Sequence, residues 1–212
     1  MKVCRVLLAD DHDIVIEGLR RLLDQPDMEI VGTVGDGRAL ITAVEKLRPD
    51  VIVTDVSMPL LNGIDAARQI RKLHAGLRIV FLTMHPEVGY AVNALAMGNC
   101  GYVLKSSAAD ELIDAIHAVL RGDSYVTPRI AGSVIEHLRN QNSVAASVEM
   151  SDRERQILQL IAEGRTFKEI ATVLNISPRT VEFHRNRIAD KTGLRTTAEL
   201  ARYAVRIGVI DE

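Results

Sequence analysis

Apolar residues recur along this chain in two alternating rhythms. Residues 4–9, 29–34, 51–53, 79–82 and 102–104 are mostly apolar and rich in β-branched side chains, which predicts short buried strands. Between them, residues 14–23, 39–47, 64–73, 87–97 and 110–120 carry apolar residues at helical spacing, the last two closed by Gly98 and Gly122. Five strand-helix units in a row predict one parallel sheet with helices on both faces, since parallel neighbours need crossovers and these are right-handed. The front of the chain, 1–124, is expected to be a doubly wound α/β domain of five parallel strands.

The rhythm changes after Gly122. Pro128 opens a helix whose apolar stripe is Ile130, Val134, Ile135 and Leu138, and residues 141–147 are small and polar without periodicity. Residues 125–149 therefore read as a linker holding one short amphipathic helix, which should dock on something. From Ser151 the helix signals are dense. Ser151 with Glu154, Thr166 with Glu169, and Thr196 with Glu199 have capping-box spacing, and Ser177-Pro178 is an N-cap followed by proline at the first helical position. Residues 150–212 thus predict four helices. The turn Asn175-Ile176-Ser177 between the second and third is short enough for a helix-turn-helix.

Composition narrows the class. With 47% hydrophobic and 25% charged residues the chain is that of a folded globular protein. It contains no apolar run long enough to span a bilayer, and its N-terminus lacks a signal-peptide core, so no membrane is expected and the cytoplasm is the expected location. Residues 1–125 hold 13 basic and 17 acidic residues, whereas 150–212 hold 11 and 9. The mildly basic back is compatible with nucleic acid and equally with a solvated surface. Cys4 and Cys100 both sit in strand-like surroundings and read as buried free thiols.

Candidate chemistry lies at the strand ends. A nucleotide-binding sheet would need a GxGxxG or GxxxxGK[ST] turn, and the chain has neither. Instead the first strand ends in Asp10-Asp11, the third in Asp55, the fourth in Thr83 and the fifth in Lys105. In a parallel sheet these ends share one edge, so five side chains distant in sequence should converge. Three carboxylates held together repel unless a cation sits among them, and an all-oxygen donor set favours Mg2+. Such a site suits in-line phosphoryl transfer to Asp55, with a lysine and a hydroxyl on the remaining oxygens. His85, two residues past Thr83, can lie near this edge or be a solvated loop residue.

Leu8-Ala9-Asp10-Asp11-His12, Asp55 through Met58-Pro59 to Gly63, Leu82-Thr83 and Gly101-Tyr102-Val103-Leu104-Lys105 resemble the receiver domain of two-component response regulators. The resemblance implies a flavodoxin-like strand order and phosphotransfer from a sensor histidine kinase to Asp55. It implies Mg2+ held by Asp11, Asp55 and the backbone carbonyl of Ser57, with Asp10 helping. It also implies a switch in which Thr83 turns toward the phosphoryl group and Tyr102 moves with it. Aspartyl-phosphate hydrolases on similar sheets place a second aspartate two residues past the nucleophile; here that position is Ser57. A regulator acting through protein contacts without phosphorylation is the other alternative, against which stands the complete set of five site residues.

On the third helix of the back domain, Val181, Ile188 and His184 are expected to face the core. Arg179, Glu182, Phe183, Asn186 and Arg187 then point outward. Asparagine can read adenine, glutamate can accept from cytosine and phenylalanine can touch a thymine methyl, while Lys168, Arg179, Thr180, Arg185 and Lys191 suit phosphates. Lys168-Glu169-Ile170-Ala171, Thr180-Val181-Glu182-Phe183-His184 and Lys191-Thr192-Gly193 resemble the output domain of NarL/FixJ, LuxR-type regulators. This implies an all-α, four-helix domain on double-stranded promoter DNA, with homodimerisation on DNA through the last helix, residues 197–207, or after phosphorylation. Two departures stand out: Glu182 replaces a common lysine, and Phe167 a small or polar residue.

Overall fold

Pleating sends alternate strand residues to opposite faces of a sheet, and in this chain both faces are apolar. In the computed structural model, which describes residues 3–84, 88–140 and 148–210, the strands are β1 (Cys4–Ala9), β2 (Met28–Val34), β3 (Val51–Asp55), β4 (Arg78–Thr83) and β5 (Cys100–Leu104). The helices between and after them are α1 (Asp13–Leu22), α2 (Gly37–Leu47), α3 (Gly63–Leu73), α4 (Val88–Leu95) and α5 (Ala108–Arg121). Leu7, Ile52, Phe81 and Tyr102 face one core with Leu40, Ile64 and Ala91, from α2, α3 and α4. Their neighbours Val6, Val53, Val80 and Val103 face the other, with Leu19 of α1 and Ile116 of α5. Burial on both faces is why the strands read as continuous apolar runs.

All pairings are parallel, in the order β2-β1-β3-β4-β5. The chain reverses direction across the sheet between β1 and β3, which opens a crevice at their carboxyl ends. Two glycines let the backbone close around it. A Cβ on Gly63 would stand 1.9 Å from the Asp55 carbonyl oxygen, and one on Gly37 2.1 Å from that of Leu61. Asn62 caps α3 by accepting from the Asp65 amide at 2.8 Å, and Asp36 caps α2 by accepting from the Arg38 and Ala39 amides.

The structure adds a strand ahead of the helix expected in the linker. Tyr125–Val126 forms a sixth strand, β6, beside β5, and Pro128–Asn140 forms α6, with Ile130 and Val134 buried in the same core as Ala91 of α4. The stripe of α6 is therefore divided: Ile130 and Val134 dock, and Ile135 and Leu138 stay exposed. Two smaller expectations are also revised. Helix α4 stops at Leu95, because 3-10-type bonds carry the chain to Gly98 at φ +87°. Only Cys100 is buried, while Cys4, near the start of β1, is half-buried; both are free thiols. His85, Glu87 and the polar segment 141–147 lie outside the described residues.

Internal contacts divide the chain into two units, Met1–Asn142 and Ser143–Glu212. The second holds α7 (Asp152–Ala162), α8 (Phe167–Leu174), α9 (Pro178–Thr192) and α10 (Thr197–Arg206). All three capping boxes form, and Ser177 accepts from the Thr180 amide ahead of Pro178. Asn175, at φ 52°, ends α8 in the left-handed region that asparagine tolerates, which permits the tight turn into α9.

Candidate functional site

Asp55 is the last residue of β3, and β1 delivers Asp10 and Asp11 beside it. The side chains of Asp10 and Asp55 are almost fully buried, while Asp11 is one-third exposed. Lys105, in the 3-10 turn that follows β5, is 2.7 Å from Asp10 Oδ2 and 2.7 Å from Asp55 Oδ2. Burial pushes the Asp55 carboxyl up to about 6, although the Lys105 ammonium and a backbone hydrogen bond from Ser57 pull against it. Burial also opposes the charge on Lys105, but Asp55 and Asp10 outweigh it and hold the ammonium above its ordinary range.

One lysine facing three carboxylates leaves the crevice with excess negative charge. Asp10, Asp11, His12 and Asp55 bring one ligand atom each into a group whose members lie within 4.8 Å of one another. Its carboxylate oxygens fit a hard divalent cation such as Mg2+. His12 was not singled out in the sequence as part of this group. Its amide donates to Asp10 Oδ1 at 2.9 Å, and its ring Nδ1 lies 3.0 Å from Asp11 Oδ1 and 3.2 Å from Asp10 Oδ1.

Thr83 ends β4 and is buried, one position past Leu82, which pairs with Asp55. Tyr102 lies two residues before the end of β5 with its ring wholly in the core. Thr127 was missed altogether. It is fully buried, its amide donates to the Tyr102 carbonyl at 3.0 Å, and its hydroxyl accepts from the Leu104 amide at 3.1 Å. A cleft of about 600 Å³ at the opposite end of the sheet, lined by Arg48, Pro49, Asp50 and Arg78, contains none of these residues.

In the second unit α9 buries Val181 and Ile188 and leaves Arg179, Glu182, Phe183, Asn186 and Arg187 exposed, with His184 half-buried. Lys168, on α8, is exposed; Thr180 is half-buried, its hydroxyl 2.8 Å from that of Ser177. Arg185 donates to the Arg195 carbonyl and to Asn186 Oδ1. Lys191 and Arg187 are engaged inside the unit. Glu154, wholly buried at the start of α7, receives Lys191 at 2.7 Å and pairs with Arg187 at 3.3 Å. Burial opposes that carboxylate's charge, yet the hydrogen bonds from Lys191 and Ser151 prevail and keep its pKa low. The capping-box spacing revealed Glu154 as a cap but not as an anchor.

Comparison with known proteins agrees with both units. Residues 6–117 match the response regulator receiver domain, and residues 148–204 match the luxR family of bacterial regulatory proteins. The chain is 36% identical over 209 residues to the transcriptional regulatory protein MctR of Rhizobium johnstonii, covering 98% of this chain and 96% of that one. It is similar to the solved RcsB response regulator of Salmonella typhimurium, with a TM-score of 0.67 and 30% identity over 98% of this chain and 99% of that one. It also resembles RcsB solved as two dimers bound to two parallel DNAs, with a TM-score of 0.60 and 29% identity over 97% and 100% of the two chains. Among the described residues no helix is long and apolar enough to cross a membrane. With a flavodoxin-like receiver ahead of a four-helix helix-turn-helix unit, this chain belongs to the NarL/FixJ, LuxR-type family of two-component response regulators, which are DNA-binding regulators of transcription.

Proposed function

We propose that Asp55 takes a phosphoryl group from a sensor histidine kinase, and that this controls binding of promoter DNA by the helix-turn-helix unit. The observation that carries the reading is Lys105 set between Asp55 and Asp10, 2.7 Å from a carboxylate oxygen of each, at the switch point of the sheet. With a pKa near 6, Asp55 is mostly ionised at neutral pH and available as nucleophile. Its carboxylate oxygen forms a bond to phosphorus as the bond to the kinase histidine breaks, leaving an acyl phosphate. Lys105 then pairs with a phosphoryl oxygen, and Thr83 offers its hydroxyl to another, with Tyr102 following as the switch. Asp11, Asp55 and the backbone carbonyl of Ser57, with Asp10, would hold Mg2+, which neutralises charge during the transfer. Ser57 stands where a hydrolase would need an acid, so the receiver keeps its phosphoryl group as a signal; it promotes its own phosphorylation and dephosphorylation without turning over a substrate.

The functional division runs as a receiver at 1–124, an appendage of β6 and α6 leading into the linker, and an output domain at 150–212. Lys168, Arg179, Thr180 and Arg185 contact phosphates, while Glu182, Phe183 and Asn186 meet base edges. Arg187 and Lys191 work from the Glu154 carboxylate. As RcsB does in its complex, the protein binds DNA as a homodimer, in the cytoplasm.

Intact mass after incubation with acetyl phosphate and Mg2+ tests the centre of this proposal. The wild type should gain one phosphoryl group and Asp55→Asn none; a gain that persists in Asp55→Asn removes Asp55 as acceptor.

A further inference from the structure

We propose that Phe183 is a thymine-reading side chain, its exposed ring covering the 5-methyl group of one thymine per half-site and held in place by Arg187. This rests on the DNA-binding face proposed above and names what one part of it recognises. Phe183 is 57% exposed, and among the described residues of its unit only Phe167 is another exposed large apolar side chain. The core side of α9 is already filled by Val181 and Ile188, so the ring is not waiting to fold inward. Arg179, Glu182, Phe183 and Asn186 follow at i, i+3, i+4 and i+7, which puts the ring in the middle of one helix face. A ring carries no hydrogen-bonding group, and the apolar feature that the major groove offers is the thymine methyl. The charged and amide neighbours on the same face suit a polar, anionic groove better than an apolar protein partner.

The ring is braced from the protein side. The Arg187 guanidinium lies 5.9 Å from the Phe183 ring centroid, within cation–π range. The same side chain pairs through Nε with Glu154 at 3.3 Å, and Glu154 is buried, caps α7 and holds Lys191 as well. On the other flank the His184 ring stands edge-on at 5.5 Å. Arg187 is therefore a positioning residue, a strut between the core carboxylate and the reading ring, rather than a phosphate clamp. Ordering the ring before binding lowers the entropy lost on docking.

The experiment uses the full chain treated with acetyl phosphate and Mg2+. Selection from a random duplex pool defines a binding site, and each of its thymines is then replaced in turn by deoxyuridine, which removes only the methyl. The wild type should lose about fourfold in affinity at one thymine per half-site, the scale of one buried methyl. Phe183→Ala should be indifferent to that replacement. Arg187→Ala should lose the methyl effect while keeping the salt dependence of the wild type. Three results overturn the proposal: wild-type binding unchanged by every thymine replacement, Phe183→Ala as sensitive as the wild type, or Arg187→Ala losing one phosphate's worth of salt slope. If no sequence is enriched from the pool, the DNA-binding face itself is wrong, a failure distinct from these.

Discussion

At the scale of single residues, Asp55 is held in surroundings that disfavour its own charge. Its carboxyl is raised from 3.8 to about 6, burial acting against the pull of Lys105. The unfolded chain releases this proton near 3.8, whereas the folded receiver keeps it until about 6, so folding binds protons across that window. Stability in metal-free buffer therefore falls as pH rises from 3.8 to about 6, and the whole penalty is present above it. Asp55→Asn removes the penalty. Its stability relative to wild type should grow across that window by on the order of 3 kcal/mol, measured by urea unfolding in chelator at stepped pH; a difference that does not vary with pH would contradict this. The acidic residues and Lys105 were legible because each ends a strand or directly follows one, and topology alone sends strand ends to one edge. The part of His12 in the group was not, since it depends on the side-chain conformation that sets its Nδ1 beside Asp10 and Asp11.

At the scale of elements, the strands and helices of both units were readable from periodicity and caps, because burial on both sheet faces and reciprocal capping leave direct marks in sequence. The apolar stripe of α6 announced that this helix should dock, but β6 left no such mark. Tyr125–Val126 is too short to announce a strand, and what ties it down is Thr127, whose amide and hydroxyl both bond to β5 next to Lys105. Thr127→Val leaves the buried Leu104 amide without its acceptor and should cost about 1 to 3 kcal/mol. Thermal unfolding and amide exchange at Leu104 would measure it. Thr127→Ser, which keeps the hydroxyl, should stay near wild type, and equal loss in the two variants would mean that packing rather than the hydrogen bond matters.

At the scale of the whole molecule, a phosphoryl group at one unit must alter what the other does, and the chain joins them through the segment beyond α6. If phosphorylation favours a state in which two recognition helices engage one operator, more phosphates are contacted and more counterions released. A beryllofluoride mimic should therefore lower the dissociation constant for operator DNA and steepen its salt dependence. Titrations with and without the mimic at several salt concentrations test this, and superimposable curves would disconnect Asp55 from DNA.

Periodicity, strand ends and capping signals were enough to establish the parallel sheet, the convergence of Asp10, Asp11, Asp55, Thr83 and Lys105 on one edge, and the four capped helices at the back. These follow from local chemistry and from the geometry that any parallel sheet imposes. Which charges are already taken emerges only once the chain is folded. Glu154 holds Arg187 and Lys191 through contacts 33 and 37 residues apart, and Lys105 divides itself between two carboxylates. Pairing of this kind depends on distances between elements, and sequence spacing carries no record of them.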